Sequence, residues 1–175
     1  MGKARLLRTG EILGTGCYKI CYALGGEKSG KAVLLNRWNE HDSSHTRMLS
    51  KRERPYLQTL RKAGVPVIKY QERRIRHKGK ITIGLVCKRY DFSFKGMWRV
   101  DKLKEVHLSS LQKIRDSLKK ANLKVTDLQF LATNSGEVVV ADPLNVRKHA
   151  EPFDTASWTD VQGFIDAISK REKVA

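Results

Sequence analysis

The stretch that decides the fold is residues 125–144, VTDLQFLATNSGEVVVADPL, in which two short apolar runs flank a polar turn. Residues 128–132 and 138–141 have the composition of β-strands, and the TNSGE between them favours a tight turn. An aspartate stands at each end of this predicted hairpin, Asp127 before it and Asp142 after it. Because a carboxylate beside buried strands needs a cation or hydrogen-bond donors, we expect the two carboxylates to converge and carry chemistry. The simpler alternative is that each aspartate only caps a strand or begins a turn.

Outside this hairpin, apolar periodicity predicts an α+β fold with a small β-rich first half. Pro55 lies inside the first helical pattern, so that helix either begins near Pro55 or kinks there. The second helical pattern has Ser109 as a candidate N-cap, with Gln112 three residues later. The expected elements are three strands within 10–38, a helix at 46–63, strands at 65–70 and 81–87 around a charged turn at 73–80, a helix at 108–121, the hairpin, and a helix at 158–168.

Length and composition are those of one folded domain, with 175 residues of which 40% are hydrophobic and 30% charged. No apolar run approaches the ~18 residues that cross a bilayer. The first residues lack the apolar stretch of a Sec signal peptide. The three cysteines, Cys17, Cys21 and Cys87, have no metal-ligand spacing, which predicts free thiols in a reducing compartment. We expect a monomer without a membrane span.

The net charge of +17 is concentrated in one part of the chain. Residues 47–80 contain twelve Lys or Arg and only two acidic residues. Such a basic segment attracts nucleic acid, an acidic membrane or an acidic protein, and it is equally compatible with a solvated face. Tyr56, Tyr70 and Tyr90 are scattered rather than grouped into a stacking platform, which makes nucleic acid the less favoured partner.

A glycine-containing turn, Gly14-Thr15-Gly16-Cys-Tyr-Lys19, separates the first two predicted strands. Glycines let a backbone approach a phosphate closely, and Lys19 on the following strand is in reach of phosphate oxygens. The turn is not a Walker A loop, which requires GxxxxGK[ST]. Alone, it is better explained as a tight hairpin than as a phosphate-binding loop.

Taken in order, these segments resemble a protein kinase. LGTGCYKICYALG resembles the glycine-rich loop with its two strands, and RERPYLQTLRKAGVPV resembles the helix that supplies an ion-pairing glutamate, here Glu53. ITIGLVCKRYD resembles the strand that leads into the adenine-binding hinge, whereas VTDLQFL and VVVADPL resemble the catalytic loop and the metal-binding strand. The resemblance covers about residues 10–146. It implies one minimal protein-kinase-like domain over 1–175, with a β-rich N-lobe at about 1–90 and a much reduced C-lobe at 91–175.

This resemblance implies phosphoryl transfer from ATP, with Mg²⁺, to a protein hydroxyl. The implied catalytic residues are Asp127, which positions or deprotonates the hydroxyl, and Lys19, which Glu53 orients. The implied ligands of Mg²⁺ are Gln129 and Asp142. The implied nucleotide-binding residues are Gly14, Thr15, Gly16, Lys19, Cys87 and Arg89.

Two departures from the kinase pattern affect these roles. The third predicted strand, KAVLLNRW, has Leu34 or Asn36 where a kinase has its phosphate-binding lysine. Lys19 on the second strand resembles the arrangement of with-no-lysine kinases, and Lys31 is the alternative. The catalytic loop is short, which brings Gln129 to the position of the usual asparagine ligand.

The short spacing between the two aspartates and the Asp-Pro ending are similar to the HopBF family of type III secreted effector kinases. That similarity implies a Ser/Thr kinase that leaves the bacterium without a Sec signal and acts in the host cytoplasm. It implies a host protein substrate, the ninety-kilodalton heat-shock chaperone. The alternatives are a small-molecule phosphotransferase, a pseudokinase that binds nucleotide without turnover, and a basic nucleic-acid-binding domain.

Overall fold

Strands outnumber helices along the chain, and the fold is α+β, as expected. The computed structural model describes residues 6–25, 29–96, 98–149 and 156–172. Among these residues, no helix is both long enough and apolar enough to cross a membrane. The elements are β1 (Thr9–Thr15), β2 (Lys19–Leu24), β3 (Lys31–Asn36), α1 (Ser43–Lys62), β4 (Tyr70–His77), β5 (Lys80–Lys88), β6 (Phe92–Phe94), α2 (Leu108–Lys120), β7 (Leu123–Thr126), β8 (Gln129–Ala132), β9 (Val138–Ala141), β10 (Asn145–Lys148) and α3 (Ser157–Glu172).

The described residues form two compact units. The first contains the residues up to Arg52 together with Lys69–Arg89, and therefore β1 to β5 and the first half of α1. The second contains Glu53–Ile68 and the described residues from Tyr90 onward, and therefore the rest of α1, β6 to β10, α2 and α3.

An antiparallel five-stranded sheet, in the order β1-β2-β3-β5-β4, makes up most of the first unit. The sheet curls until its edge strands meet, because Arg8 forms a bridge with Arg76, and Thr9 Oγ1 lies 2.9 Å from His77 Nδ1. Alternate residues of each strand point into the curl, since successive side chains on a strand face opposite sides. The side chains buried there are Ile20, Tyr22, Leu24, Val33, Leu35 and Ile75.

Gly84 lies at the tightest point of this interior. A Cβ atom at Gly84 would collide with the side chain of Val33 and press on those of Leu35 and Ile75. Because protein interiors are close-packed, a larger residue would have to displace one of these side chains. The packing of the curled sheet therefore explains the glycine.

Strand β4 differs most from the sequence expectation. The expected turn at 73–80 is wrong, because Tyr70–His77 is a strand and the turn is confined to Lys78 and Gly79, which both have positive φ. Ile75 and His77 are buried, whereas the remaining residues of the strand are exposed or half-buried. Two buried positions among charged neighbours give too little alternation to detect in the sequence.

The strand expected at 65–70 is also wrong, because residues 65–69 contain only an isolated bridge and Tyr70 begins β4. Val67 forms an isolated bridge with Val140, and the Ile68 amide donates to the Val140 carbonyl at 2.9 Å. The apolar composition of the segment therefore reflects burial against β9 rather than membership of the five-stranded sheet.

Helix α1 runs without interruption from Ser43 to Lys62 and includes Pro55. The carboxylate of Asp42 accepts hydrogen bonds from the Ser44 and His45 amides, each at 3.0 Å, which satisfies two of the donors left unpaired at a helix start. The alternative of a helix that begins at Pro55 is therefore wrong. Glu53 lies within the helix and is 1% exposed.

The second unit contains the sheet β6-β8-β9, the separate pair β10–β7, and the helices α2 and α3. The hairpin β8–β9 has the predicted position, with Gln129 opposite Ala141 and Ala132 opposite Val138. Phe94 of β6 stacks on Phe130 of β8 at 4.8 Å between ring centroids. Phe164 of α3 meets both rings edge-on at 5.4 and 5.5 Å, which joins the helix to the sheet.

The start of α2 differs from the expected capping box. The helix follows directly on a short 3-10 helix, Glu105–His107, so Ser109 lies inside α2 rather than at its N-cap. His107 is 1% exposed, and its ring nitrogens lie 3.0 Å from the Lys104 amide and from the Thr133 carbonyl. A buried histidine therefore anchors the segment in place of a serine cap.

Candidate active site

The glycine-containing turn between β1 and β2 is exposed, and hydrogen bonds within the turn and from Arg37 fix its backbone. The Gly16 amide donates to the Lys19 carbonyl at 2.8 Å. Arg37, just after β3, donates its amide to the Tyr18 carbonyl and its guanidinium to the Gly16 carbonyl, both at 3.0 Å. A Cβ at Gly14 would meet no atom within 4 Å, so open space adjoins the turn at that point. Arg37 was not predicted, since no sequence pattern links it to the turn.

Lys19 lies directly opposite Asn36 in the β2–β3 register. Directly opposite residues of an antiparallel pair share one face of the sheet, with Cβ atoms about 4.5–5.5 Å apart. Lys31 pairs with Leu24 at the other end of the same two strands, five residues and about 17 Å away. Lys19 therefore lies beside Asn36, one of the two positions at which a kinase was expected to have its phosphate-binding lysine, whereas Lys31 does not.

Cys87 lies near the end of β5, and Arg89 directly follows the last residue of that strand. Cys87 pairs with Ala32, and Cys21 pairs with Leu34, which puts both thiols on the sheet face that carries Lys19. Burial raises the pKa of the Cys87 thiol to about 12, with a further rise from Cys21 and an opposing effect of the Lys19 charge. Burial likewise raises the pKa of Cys21 to about 11.

Arg89 is held by neighbours on both its backbone and its side chain. Its amide donates to the Gly30 carbonyl at 2.8 Å. Its guanidinium forms an ion pair with Glu11 of β1 at 3.3 Å, and 30% of the side chain is exposed. The side chain of Arg89 is thus engaged within the first unit.

Glu53 belongs to the second unit, whereas Lys19 belongs to the first. The buried position of Glu53 on α1 resolves the doubt that Pro55 raised about its helical environment. The pairing of Lys19 with Glu53 stays a prediction.

Asp127 and Asp142 lie at the same end of the β8–β9 hairpin, because Gln129 is opposite Ala141. Both aspartates have a left-handed backbone, with φ of 60° and 50°. Only five non-glycine residues in the described ranges have positive φ. Such a conformation is sparsely populated even for aspartate, and it tends to occur where a side chain must be aimed.

Two side chains contact the Asp127 carboxylate. Gln129 Nε2 donates to its Oδ2 at 2.8 Å, and Lys95 forms an ion pair with its Oδ1. Sequence reasoning missed Lys95, which lies 32 residues before Asp127 and just after the unpredicted strand β6.

The oxygen atoms at this end of the hairpin suit a hard cation. Asp142 follows the fully buried strand β9 and supplies a carboxylate, and the hydrogen bond of Gln129 to Asp127 uses its amide nitrogen rather than its amide oxygen. Mg²⁺ is usually held by one or two protein oxygens, with water and substrate phosphates completing the shell. The described residues contain no group of three or more His, Cys, Asp or Glu side chains that could hold a metal ion, and the assignment of Gln129 and Asp142 to Mg²⁺ stays a prediction.

A glycine turn on a curled sheet, together with a hairpin that carries an aspartate at each end, is compatible with a minimal kinase-like fold. The family model of the type III secretion system effector HopBF1 kinase domain matches residues 3–171 of the chain. The chain therefore belongs to this family of effector kinases. A comparison with curated proteins gives no match. The family supports a phosphotransferase that uses ATP, enters a host cell by type III secretion and acts on a host protein.

Proposed function

We propose that the protein is an ATP-dependent Ser/Thr protein kinase that acts on a host protein. The observation that carries this proposal is the pair Asp127 and Asp142, two aspartates in left-handed conformation at one end of a buried hairpin. Membership of the effector kinase family supplies the reaction class. Transfer of a phosphoryl group requires mainly positioning and neutralisation of charge, which these residues are suited to provide.

In this proposal the first unit contributes the nucleotide-binding residues. The backbone of Gly14, Thr15 and Gly16 covers the phosphates, and the open space at Gly14 supports that role. Lys19 binds phosphate oxygens, which its position opposite Asn36 supports. Cys87 and Arg89 line the adenine-binding segment, where Arg89 acts through its backbone because its side chain pairs with Glu11.

The second unit contributes the residues for transfer. Asp127 accepts the proton of the substrate hydroxyl, and Glu53 orients Lys19. Gln129 and Asp142 would hold Mg²⁺, which neutralises charge on the phosphates when bound. We further propose that these parts belong to one kinase-like domain over 1–175, with an N-lobe at about 1–90 and a reduced C-lobe at 91–175.

The acceptor proposed is a Ser or Thr of the ninety-kilodalton heat-shock chaperone, in the host cytoplasm. What supports it is the effector kinase family, whose members act after secretion into a host cell.

The proposal is tested with γ-labelled ATP, Mg²⁺ and a eukaryotic lysate. Wild-type protein is expected to label a discrete protein on Ser or Thr. Asp142→Ala is expected to abolish the label, because it removes the carboxylate that would hold the metal. Asp101→Ala is the matched control, since Asp101 is an exposed aspartate of the same unit, and it is expected to retain wild-type activity.

Each other outcome excludes part of the proposal. Full activity of Asp142→Ala would contradict the metal assignment. No label, with ATP still raising the melting temperature, would indicate a pseudokinase. Label on the lysate but none on the purified chaperone would contradict the chaperone as acceptor and leave the kinase activity intact.

A further inference from the structure

The positive charge beside Asp127 does not come from its own hairpin. From Asp127 to Asp142 the sequence contains no lysine, arginine or histidine. The ion pair with Lys95 supplies that charge from a segment 32 residues earlier. Because no sequence pattern relates the two residues, the contact depends on the fold alone.

The backbone of Lys95 is held firmly in place. Strand β6 pairs with β8, with Phe92 opposite Ala132 and Phe94 opposite Phe130, and one further step of this register brings Lys95 opposite Gln129. Phe94 and Phe130 are each 1% exposed, which anchors the strand in the core. After the strand, Lys95 and Trp98 exchange backbone hydrogen bonds at 3.4 and 3.0 Å. Catalytic groups need such support, because small displacements reduce their effect.

The side chain of Lys95 is half exposed, at 52%, whereas that of Asp127 is 21% exposed. An ammonium group has three N–H donors, and the contact with Asp127 Oδ1 uses one of them. Exposed ion pairs contribute little to stability, so folding alone is a weak reason for this one. The remaining donors are available to an anion that approaches Asp127.

We propose that Lys95 is a further catalytic residue, which holds Asp127 and at the same time binds the phosphoryl group in transfer. This inference rests on the proposed kinase activity. In the transfer, the substrate hydroxyl oxygen forms a bond to the γ-phosphorus, and the bond from that phosphorus to the β–γ bridging oxygen breaks. ADP leaves with that electron pair, and the hydroxyl proton goes to the Asp127 carboxylate.

Lys95 lowers the barrier by countering repulsion between two anions. The equatorial oxygens of the phosphoryl group carry negative charge near the Asp127 carboxylate, which is also negative. The free N–H groups of Lys95 donate to these oxygens, and preorganised donors of this kind are worth about 10²–10³ in kcat. ATP binding itself does not need this contact, because it matters only as the phosphoryl group meets the acceptor.

The test compares Lys95→Met and Lys95→Arg with wild-type protein in the labelling of a eukaryotic lysate by γ-labelled MgATP. Lys95→Met is expected to lower the maximal rate about 10²-fold and to leave the ATP concentration for half-maximal rate unchanged. Lys95→Arg is expected to recover part of the rate, since it restores a cation. Lys113→Met is the matched control, because Lys113 is an exposed lysine on α2, and it is expected to behave as wild type.

A double-mutant cycle with Asp127→Asn examines the coupling of the two residues. In the Asp127→Asn background, Lys95→Met is expected to lower the residual rate much less than 10²-fold, because residues that act as a unit are not additive. A full, independent effect in that background would overturn the inference. Loss of the ADP-induced rise in melting temperature in Lys95→Met would also overturn it, since Lys95 would then serve folding or nucleotide binding.

Two results separate this inference from the activity on which it rests. A wild-type rate in Lys95→Met would overturn the role of Lys95 and leave the proposed kinase activity standing. Absence of any transfer by the wild-type protein would overturn the proposed function, and this inference with it.

Discussion

Lys19 and Lys31 lie at opposite ends of the β2–β3 pair, and only Lys19 is opposite Asn36. Lys19→Ala is expected to lower the rate of phosphoryl transfer about 10²-fold, because it removes a cation from the phosphates. Lys31→Ala is the matched control, since it removes an exposed lysine from the adjacent strand and is expected to leave the rate unchanged. The measurement is the initial rate of label transfer, with melting temperatures to exclude unfolding. A normal rate in Lys19→Ala and a loss in Lys31→Ala would show that Lys31 is the phosphate ligand.

A second feature at the scale of single residues is the half-buried carboxylate of Glu40. Burial opposes its ionisation, but hydrogen bonds from Lys78, Tyr22 and His77 outweigh that effect and lower its pKa to about 2. The donor atoms lie 2.5–2.6 Å from the two carboxylate oxygens. Burial, followed by the hydrogen bond to Glu40, raises the pKa of Tyr22 to about 12.

This network predicts a loss of stability in acid. Since the pKa of Glu40 is lower in the folded than in the unfolded protein, its stabilisation is complete above the ordinary glutamate pKa of 4.5 and is lost as the pH falls towards about 2. The loss is expected to be about 1–3 kcal/mol of the free energy of unfolding. Glu40→Gln is the matched control, because it keeps the shape without the ionisable group. Urea unfolding between pH 6 and pH 3 is the measurement, and an identical pH dependence in both proteins would contradict the assignment.

At the scale of elements, α3 holds the segment that precedes α2. The guanidinium of Arg171 near the end of α3 donates to the carbonyls of Asp101, Val100 and Leu103 at 3.0–3.2 Å. These carbonyls belong to the 3-10 helix Val100–Lys102 and the residue after it. One side chain therefore contacts three backbone acceptors, of which the Val100 carbonyl also accepts the Leu103 amide at 3.0 Å.

Removal of this contact is expected to loosen the segment. Arg171→Ala is expected to lower the free energy of unfolding by about 1–2 kcal/mol, because charge-assisted hydrogen bonds are lost from partly exposed carbonyls. Lys170→Ala, an exposed neighbour on the same helix, is the control. Chemical denaturation measures the change, and faster hydrogen exchange confined to residues 100–103 would locate it. Equal stability of the two variants would mean that the contacts of Arg171 do not constrain the segment.

Some elements of the fold have a clear signal in the sequence, and others do not. The hairpin β8–β9 and the strands β2 and β3 were predicted, because each has apolar residues in a strand pattern beside turn residues. Strand β4 was missed, since charged side chains occupy most of its positions. Strands β6, β7 and β10 were missed because each is three or four residues long and takes its stability from a distant partner.

At the scale of the whole molecule, the sequence predicted the order of elements and motifs along the chain, but it did not predict which distant residues are in contact. The sequence predicted an α+β fold and a resemblance to kinases, because the order of the motifs can be recognised in one sequence. It did not predict that Val67 contacts Val140 or that Lys95 contacts Asp127, since both contacts join distant residues.

The twelve basic residues within 47–80 are all exposed and lie on or beside α1, β4 and β5. Their exposure is compatible both with a face that only contacts solvent and with a surface that binds an acidic partner.

The positions of the three cysteines determine which thiol a fluorescent reagent can modify. Cys21 and Cys87 lie on the two strands that flank β3, about 10 Å or more apart, which is beyond the reach of a disulfide. Their raised pKa values keep them protonated and slow to alkylate at neutral pH. Cys17, in the glycine turn, is exposed. The sequence thus offers one exposed cysteine for a maleimide fluorophore, within the turn that we propose covers the phosphates, without an engineered cysteine.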